Sequence, residues 1–214
     1  MDVNFNPKII IVPDKSRRSS SSDMITRVFT DILTLVHFKE LSGDMYYAVD
    51  YENAPEFSEN MKSDILVFDR TSSEEEAKKR LSMSKHLKLG GIIFLDIEDP
   101  FLKPAAFGKR VTAYTYSADD DDANFYAQKI RRAQDGTGFT FEYVFQTNPS
   151  GKSGLRTIFN PGHSQNYIFT GSAATDSRKD IIHAVKAFAL CLIQGIDTKY
   201  VIKAISSYDF SLLE

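Results

Sequence analysis

The residues best placed to do chemistry in this chain lie in a loop near its start, Asp14 to Ser22. An apolar run from Ile9 to Val12 precedes this loop, and apolar residues at helical spacing follow it from Met24 to Leu33. A strand, a loop and a helix in this order are typical of phosphate sites, where glycines let backbone N–H groups close around the phosphate. This loop contains no glycine. It keeps the layout of a phosphate site but fills it with charged residues and serines.

Two other stretches invite a binding interpretation, and a turn explains each of them better. Gly151, Lys152 and Ser153 match the end of a P-loop motif, but the leading glycine is missing and the flanking residues predict two strands. Asp119 to Asp122 form a carboxylate cluster that lacks the spaced ligands of a calcium-binding loop. We therefore predict a hairpin turn at the first stretch and a solvated turn at the second.

Metal and thiol chemistry have little support. Cys191 is the only cysteine and lies in an apolar helical pattern, so an intrachain disulfide is excluded and a buried, inert thiol is expected. The four histidines do not have the spacing of metal ligands: they are His37, His86, His163 and His183. We predict no metal site.

Composition excludes several classes of protein. The 214 residues contain 26 basic and 29 acidic side chains, with a net charge of -3, which argues against a general nucleic-acid binder. The N-terminus does not have the pattern of a secretory signal, and no apolar run reaches the roughly 18 residues needed to span a bilayer. We expect a cytoplasmic protein of one domain without membrane insertion.

The elements that must position these residues predict an α/β fold. Asp64 to Asp69 and Ile92 to Leu95 are compact apolar runs typical of parallel strands covered on both faces. Glu74 to Glu76 predict the first turn of a helix between them, capped by Thr71 or Ser72. Strand, helix and strand make a βαβ unit, which is the building block of a parallel sheet flanked by helices. Earlier in the chain, residues 45–49 suggest one further short strand.

From about residue 111 to 170 the pattern favours a small antiparallel β-meander. Aromatic residues alternate with other side chains in GFTFEYVFQ, which places Phe139, Phe141, Tyr143 and Phe145 on one face. The turn NPSGKSG then joins this strand to LRTIFN, and PGHSQ joins that to NYIFTG. The chain returns to helix at Ile181, after Asp176 or Ser177 as a cap. Gly195 ends that helix, and Asp197 or Thr198 starts a last one.

Three stretches resemble the Mur ligase central domain in their order. IIHAVKAFALCLIQGIDTKYVIKAISSYDF is similar to its closing helices, and GGIIFLDIEDPFLKP resembles its strand ending in Asn-x-Asp-Asp-Pro. VTAYTYSADDDDANFYAQKI is similar to the strands that open its small β-meander. The resemblance implies a three-layer P-loop-type domain, with a mostly parallel sheet, over residues 1–214. It also implies that the family's N-terminal UDP-binding and C-terminal amino-acid-binding domains are absent.

The resemblance also implies that the nucleotide loop is degenerate. The family motif Thr-Gly-Thr-Asn-Gly-Lys-Thr-Thr places its Thr and first Gly on Pro13 and Asp14. Its second Gly falls on Arg17, and its Lys and two Thr fall on Arg18, Ser19 and Ser20. Side chains at two glycine positions obstruct the backbone's approach to phosphate, and the Asp14 carboxylate faces a triphosphate. Ser19 could still bind magnesium, whereas the fork of Arg18 is a poor substitute for an ammonium.

Other parts of the family's active site are missing as well. The region that carries its magnesium-binding Glu is shortened here. DRTSSEEE stands where Asp-His-x-Asp is expected, and the paired Asn residues of the long helix are replaced by Lys179 to His183. The resemblance thus implies a protein that is not an enzyme and uses no cofactor.

The leading expectation is a pseudoenzyme that binds one or more protein partners as a scaffold or adaptor. The 16 Phe and 10 Tyr exceed what a small core needs, and Tyr46, Tyr47, Tyr51 and Phe57 are candidates for a partner surface. Alternatively, these aromatic residues fold back over the core. A different class of function remains open, in which Arg17, Arg18 and Ser19 bind ATP with magnesium, or another anion. The chain would then be a sensor or half of a two-chain ATP-dependent carboxylate–amine ligase.

Overall fold

A computed structural model describes residues 8–12, 46–50, 62–108, 111–147 and 166–210, and all structural statements below concern these residues. The predicted loop at 14–22 and the predicted helix at 24–33 lie outside them. Eight strands are described: β1 Lys8–Val12, β2 Tyr46–Asp50, β3 Ser63–Phe68, β4 Leu87–Asp96, β5 Thr112–Tyr116, β6 Phe125–Arg132, β7 Phe139–Gln146 and β8 Asn166–Ala173. The described α-helices are α1 Glu74–Met83, α2 Ile181–Ile193 and α3 Thr198–Ser206.

The strands form one sheet in the order β2-β1-β3-β4-β5-β6-β7-β8. Strands β1 to β5 pair in parallel, and β5 meets β6 in parallel through the single pair Tyr116 and Phe125. Strands β6, β7 and β8 pair antiparallel. The predicted α/β fold, a mostly parallel sheet with an antiparallel part, is therefore confirmed.

Helices cover the described sheet on both faces. One face packs against α2 and α3, and it carries the predicted aromatic side of β7, with Phe141, Tyr143 and Phe145 buried. The other face packs α1 against β3, β4 and β5 through Ala77 and Met83. The sheet is thus the middle one of three layers, as predicted. None of the described helices is long and apolar enough to cross a membrane.

The region between β3 and β4 differs from its prediction in two details. Ser73 caps α1 by accepting a hydrogen bond from the Glu76 N–H at 3.2 Å, because the Thr71 hydroxyl is occupied by Asp99 and the Ser72 hydroxyl donates to Glu76. Strand β4 begins at Leu87 rather than at residue 92. Glycines 90 and 91, expected to precede the strand, lie inside it. A side chain at position 91 would collide with Leu87, because its Cβ would lie 2.5 Å from the Leu87 side chain.

The antiparallel part is also arranged differently from the predicted meander. Residues 112–116 form β5, which is parallel to β4, so the antiparallel part begins with β6. Strand β7 pairs directly with β8 from Phe139 opposite Ala173 to Gln146 opposite Asn166. The prediction that LRTIFN is the next strand of the meander, next to β7, is therefore wrong. The two sides of β7 are taken by β6 and β8, while residues 155–160 lie outside the described part of the chain.

The C-terminal helices agree with their sequence signals. Ser177 accepts from the Lys179 N–H and caps a short 3₁₀ turn, Arg178–Asp180, that leads into α2. Gly195, with φ of 77°, follows the end of α2, where a left-handed residue is typical. Asp197 accepts from the Lys199 N–H at 3.0 Å and begins α3. The predicted caps at Ser177 and Asp197 are confirmed.

Aromatic stacking joins α2 to the antiparallel strands. The Phe188 ring of α2 stacks on Tyr143 of β7 with 4.2 Å between centroids, and it also contacts Phe169 of β8 at 5.4 Å. Phe188 is buried, so its removal leaves a cavity between the helix and the sheet.

We expect Phe188→Ala to lower the free energy of unfolding by about 3–5 kcal/mol, because it loses both buried area and packing contacts. Phe188→Leu should cost less than about 1.5 kcal/mol, since it keeps most of the volume. Urea unfolding measures both, with Leu89→Ala as a control because Leu89 is 91% exposed. Equal losses for Ala and Leu would show that volume does not determine stability at this position.

Candidate functional site

The carboxyl ends of the parallel strands form the candidate site. Ligands of open α/β sheets bind at this edge, beyond the ends of the strands. Asp69 directly follows β3, Asp96 is the last residue of β4, and Tyr116 is the last residue of β5. Strand β1 runs parallel to β3 and also ends here, at Val12. The degenerate nucleotide loop predicted at 14–22 follows β1 in the sequence, and its own residues are outside the described part of the chain.

Asp69 and Lys186 form a buried ion pair at the centre of this edge. The Lys186 Nζ lies 2.5 Å from an Asp69 carboxylate oxygen, and the Lys186 side chain is only 2% exposed. The ammonium also lies 5.6 Å from the centre of the Tyr116 ring. The Tyr116 hydroxyl donates to the Phe68 carbonyl at 2.8 Å and lies 3.1 Å from the Asp69 carboxylate. Three elements, β3, β5 and α2, thus meet at one carboxylate.

The environment keeps Asp69 ionised. Burial opposes its charge, but the charge and hydrogen bond of Lys186 prevail, with smaller contributions from His183 and Tyr116, so the pKa of Asp69 lies below its usual value. Burial and the nearby Asp69 charge raise the pKa of Tyr116 well above its usual value. The phenol therefore stays protonated and remains a hydrogen-bond donor.

His183 lies on α2, three residues before Lys186, and is partly buried. Burial and, to a smaller extent, the neighbouring Lys186 charge together lower the pKa of His183 to about 3, against the attraction of Asp69. The imidazole is therefore neutral at physiological pH. A neutral histidine beside an ion pair does not compete with Lys186 for the Asp69 carboxylate.

Arg70 makes a second ion pair beside the first. Its Nε lies 3.2 Å from Asp96, and a terminal nitrogen contacts Glu98. Burial raises the pKa of Asp96 even though the Arg70 charge opposes this effect. On the other side of Asp69, Arg80 of α1 donates to the Asp69 carbonyl and pairs with Glu76 at 2.7 Å. Lys186, Arg70 and Arg80 are thus each held by carboxylates of the same chain.

Asp99 fixes the loops that surround these pairs. This buried carboxylate accepts from the Thr71 N–H at 2.6 Å and from its hydroxyl at 2.9 Å. It also accepts from the N–H groups of Phe101 and Leu102, both at 2.8 Å. The loop after β4 is therefore tied to the loop after β3.

Among the described residues, the contacts at this edge tie elements of the fold together. Among the residues that the structure describes, no group of three or more His, Cys, Asp or Glu side chains could hold a metal ion. Burial raises the pKa of the Cys191 thiol, which is buried as predicted and is not available as a nucleophile. Asp119 to Asp122 form a turn, and the Asp119 and Asp120 N–H groups donate to the Ser117 hydroxyl.

Most residues predicted for the site cannot be placed. Those of the degenerate loop, Asp14, Arg17, Arg18, Ser19 and Ser20, lie outside the described residues, as do Tyr51 and Phe57 of the expected partner surface. Tyr46 and Tyr47 belong to β2, whose side chains are not described. The structure thus neither joins these residues into a site nor separates them.

The sequence interpretation missed the ion pair at the centre of the edge. Lys186 is the only charged residue between Ala184 and Ile193, in a segment otherwise suited to burial, and this was its one signal. Asp69 ends a buried strand, as ligand-binding residues often do. Their pairing joins positions 117 residues apart, so a single sequence contains no direct sign of it.

The described fold is that of the Mur ligases. The chain is similar to UDP-N-acetylmuramoyl-L-alanyl-D-glutamate–2,6-diaminopimelate ligase with a TM-score of 0.63 and 14% identity, over 96% of this chain and 47% of that one. It is also similar to a murein peptide ligase from Psychrobacter arcticus, with a TM-score of 0.63 and 11% identity, over 94% of this chain and 47% of that one. For UDP-N-acetylmuramoylalanyl-D-glutamyl-2,6-diaminopimelate–D-alanyl-D-alanyl ligase from Acinetobacter baumannii, the TM-score is 0.62 and the identity 10%, over 94% of this chain and 46% of that one.

At these identities the likeness shows the fold alone. The chain spans about half the length of these ligases. No family model matches the sequence, and a search of curated proteins finds no similar one. Activity, substrates and partners therefore have to be argued from this chain's own residues.

Breaking the central ion pair should destabilise the fold. We expect Asp69→Asn to lower the free energy of unfolding by about 3–5 kcal/mol, because it leaves the buried Lys186 ammonium without its carboxylate. The double variant Asp69→Asn with Lys186→Met should regain most of this loss, since it removes the unpaired charge. Urea unfolding gives the coupling energy. Glu74→Gln, which breaks an exposed pair with Lys78, is the control and should change little. Additive losses would contradict a direct pair.

Stability should also fall in mild acid because of His183. Its pKa is about 3 when folded and near 6.5 when unfolded, so the unfolded chain takes up a proton first as the pH drops below 6.5. His183→Gln should flatten the dependence of unfolding free energy on pH between 6.5 and 4.5. The ionised Asp69 carboxylate stabilises the fold at neutral pH. This stabilisation is lost only at lower pH, as the pH falls to the lowered pKa of Asp69. Parallel curves for wild type and His183→Gln would contradict this account.

Proposed function

We propose that this chain is a non-catalytic Mur-ligase-like protein, a pseudoenzyme that binds protein partners as a scaffold or adaptor subunit of a larger complex. The observation that carries this proposal is the internal neutralisation of the candidate site. Lys186 is paired with Asp69, and Arg70 is paired with Asp96 and Glu98. These cations lie where a nucleotide-binding fold needs positive charge for phosphate, and the chain's own carboxylates already occupy them.

Electrostatics argue against a triphosphate at this edge. A bound nucleotide would bring several negative charges close to Asp69, Asp96 and Glu98. Lys186 cannot move to meet a phosphate without leaving Asp69 unpaired, and it is almost completely buried. Binding would therefore have to compensate both the repulsion and the loss of a buried pair.

The sequence of the first loop supports the same conclusion. Residues 13–22 contain no glycine, while Asp14 and Arg17 stand at the two positions where the family motif has one. A backbone cradle for phosphate needs N–H groups that approach closely without side chains in the way. We therefore propose that the protein uses neither ATP nor magnesium as a cofactor.

A protein partner fits the surface better than a nucleic acid does. The net charge of -3 does not favour a polyanion, and large apolar side chains remain exposed. Phe101, in the loop after β4, is 44% exposed, and Tyr167 of β8 is 42% exposed. The region of Tyr51 and Phe57 stays a sequence-based candidate for a partner surface. A cytoplasmic subunit is the setting we propose.

The ligase neighbours favour one alternative. In it, Arg17, Arg18 and Ser19 still bind ATP with magnesium, or another anion, and the chain is a sensor or half of a two-chain carboxylate–amine ligase. It is supported by the likeness of the fold to ligases and by the position of β1 at the same edge.

Titration calorimetry with magnesium ATP separates the two proposals. We expect no heat of binding at millimolar nucleotide, because the described cations are already paired and the loop has no glycine. Arg18→Ala is the matched variant. Heat in the wild type that Arg18→Ala abolishes would overturn the pseudoenzyme proposal and support the sensor or ligase.

Purification of the native complex tests the partner. We expect a protein to co-purify in fixed stoichiometry, to remain bound in reciprocal purification, and to stay bound when magnesium ATP is added. Mass spectrometry identifies it. A chain that purifies without any such partner would overturn the scaffold proposal, whatever the calorimetry shows.

A further inference from the structure

Strand β6 extends beyond the end of its neighbour β5. The two meet only at Tyr116 and Phe125, after which the Ala127 N–H donates to the Ala118 carbonyl at 3.1 Å. Strand β6 continues to Arg132 with β7 on its other side. Beyond Ala127, no described strand pairs with the edge of β6 that faces β5. This leaves a short sheet edge next to the carboxyl ends of the parallel strands.

A groove of about 430 Å³ lies along this edge. The acidic turn after β5 lines it through Asp119 and Asp121, and β6 lines it from Tyr126 to Ile130. Arg178, in the 3₁₀ turn before α2, also lines it. Its guanidinium lies 2.6 Å from Asp119, and both side chains are about half exposed. Such an exposed pair contributes little to stability, so a ligand can exchange it at small cost.

The backbone of β6 is distorted next to this groove. The register with β7 shifts between Gln128 and Arg131, so that a bulge is formed, and Lys129 within it has a φ of 53°. This left-handed conformation is unfavourable for a residue with a side chain. Gln128 and Lys129 both hold Glu142 of β7, at 2.9 and 3.0 Å. Bulges redirect side chains and often lie next to binding sites.

We propose that this edge of β6 binds an extended peptide segment of a partner protein as an added strand, with a basic side chain against Asp119 and Asp121. This proposal rests on the protein-binding function proposed above and names the kind of segment recognised. The main chain of β6 beyond Ala127, which has no partner strand among the described residues, supplies hydrogen bonds along this edge, as in other cases of strand addition. Asp119 and Asp121 supply the preference for charge, with a basic side chain of the peptide replacing Arg178 at Asp119.

The lining favours a peptide over an apolar small molecule. Pockets for small molecules are mostly apolar, with few polar groups. Here the side chains that line the groove are largely charged or amide groups, and five consecutive residues of β6 lie along it. An extended peptide can form main-chain hydrogen bonds with such a strand along its whole length, whereas a compact apolar ligand would bury polar groups without partners.

Selection from a display library of random heptapeptides on the immobilised full chain tests this proposal. We expect enriched peptides with β-branched residues at alternate positions and one Lys or Arg. A synthetic copy with N-methylated backbone amides should bind at least tenfold more weakly, because it can no longer pair with β6. Equal binding of the methylated copy, or no enriched peptide, would overturn strand addition.

A charge reversal locates the peptide in the groove. Asp121→Lys changes an exposed side chain, so the fold should be kept, and we expect it to weaken the selected basic peptides at least tenfold and to favour acidic ones. Thr170→Ser, at an exposed site on β8, is the control and should bind as wild type does. Unchanged affinity in Asp121→Lys would place the peptides elsewhere and overturn the site.

Purification with the native partner distinguishes failure of the groove as a docking site from failure of the proposed scaffold function. A partner that remains bound to Asp121→Lys would overturn this groove as its docking site and leave the scaffold proposal intact. A chain that enriches basic peptides but purifies without any stable partner would contradict the scaffold proposal and leave the groove supported.

Discussion

The Lys186 ammonium is buried in the middle of an otherwise apolar helix, where a charge is stable only with a close partner of opposite sign. Asp69 is that partner, and its position at the end of β3 brings α2 against the centre of the sheet. Tyr116 and Arg80 bind the carboxylate and the neighbouring backbone from β5 and α1. Four elements, β3, β5, α1 and α2, therefore meet at Asp69.

This constraint has a consequence for what the fold can do. A parallel sheet with helices on both faces presents its strand ends as a place for ligands, and nucleotide-binding domains keep cations there for phosphate. In this chain the same edge is neutralised from inside, by Asp69 for Lys186 and by Asp96 and Glu98 for Arg70. The likeness to Mur ligases extends over the fold, while the charges at the edge are arranged for support. We therefore propose protein binding at surfaces beside this edge.

The edge of β6 beyond β5, which has no partner among the described strands, is the surface where backbone geometry and charge coincide. It exists because β5 ends after five residues while β6 continues past it, so the antiparallel part extends beyond the parallel one. The bulge at Lys129 turns this extension away from regular pairing. The groove beside it is lined by Asp119 and Asp121 of the acidic turn and by Arg178, and on these charges we base the proposed preference for a basic peptide. Position in the fold, rather than any sequence motif, sets this site apart.

The sequence by itself determined the class of fold, because apolar runs, alternating aromatic residues and helix caps are local signals. Strands β3 and β7, helix α2 and the caps at Ser177 and Asp197 follow from residues within one or two turns of each other. The pairing of β7 with β8 and the partner of Lys186 were decided only by the tertiary structure. A strand has the same local pattern whichever neighbour it takes, and the Asp69 carboxylate meets Lys186 only after 117 residues of chain have folded between them.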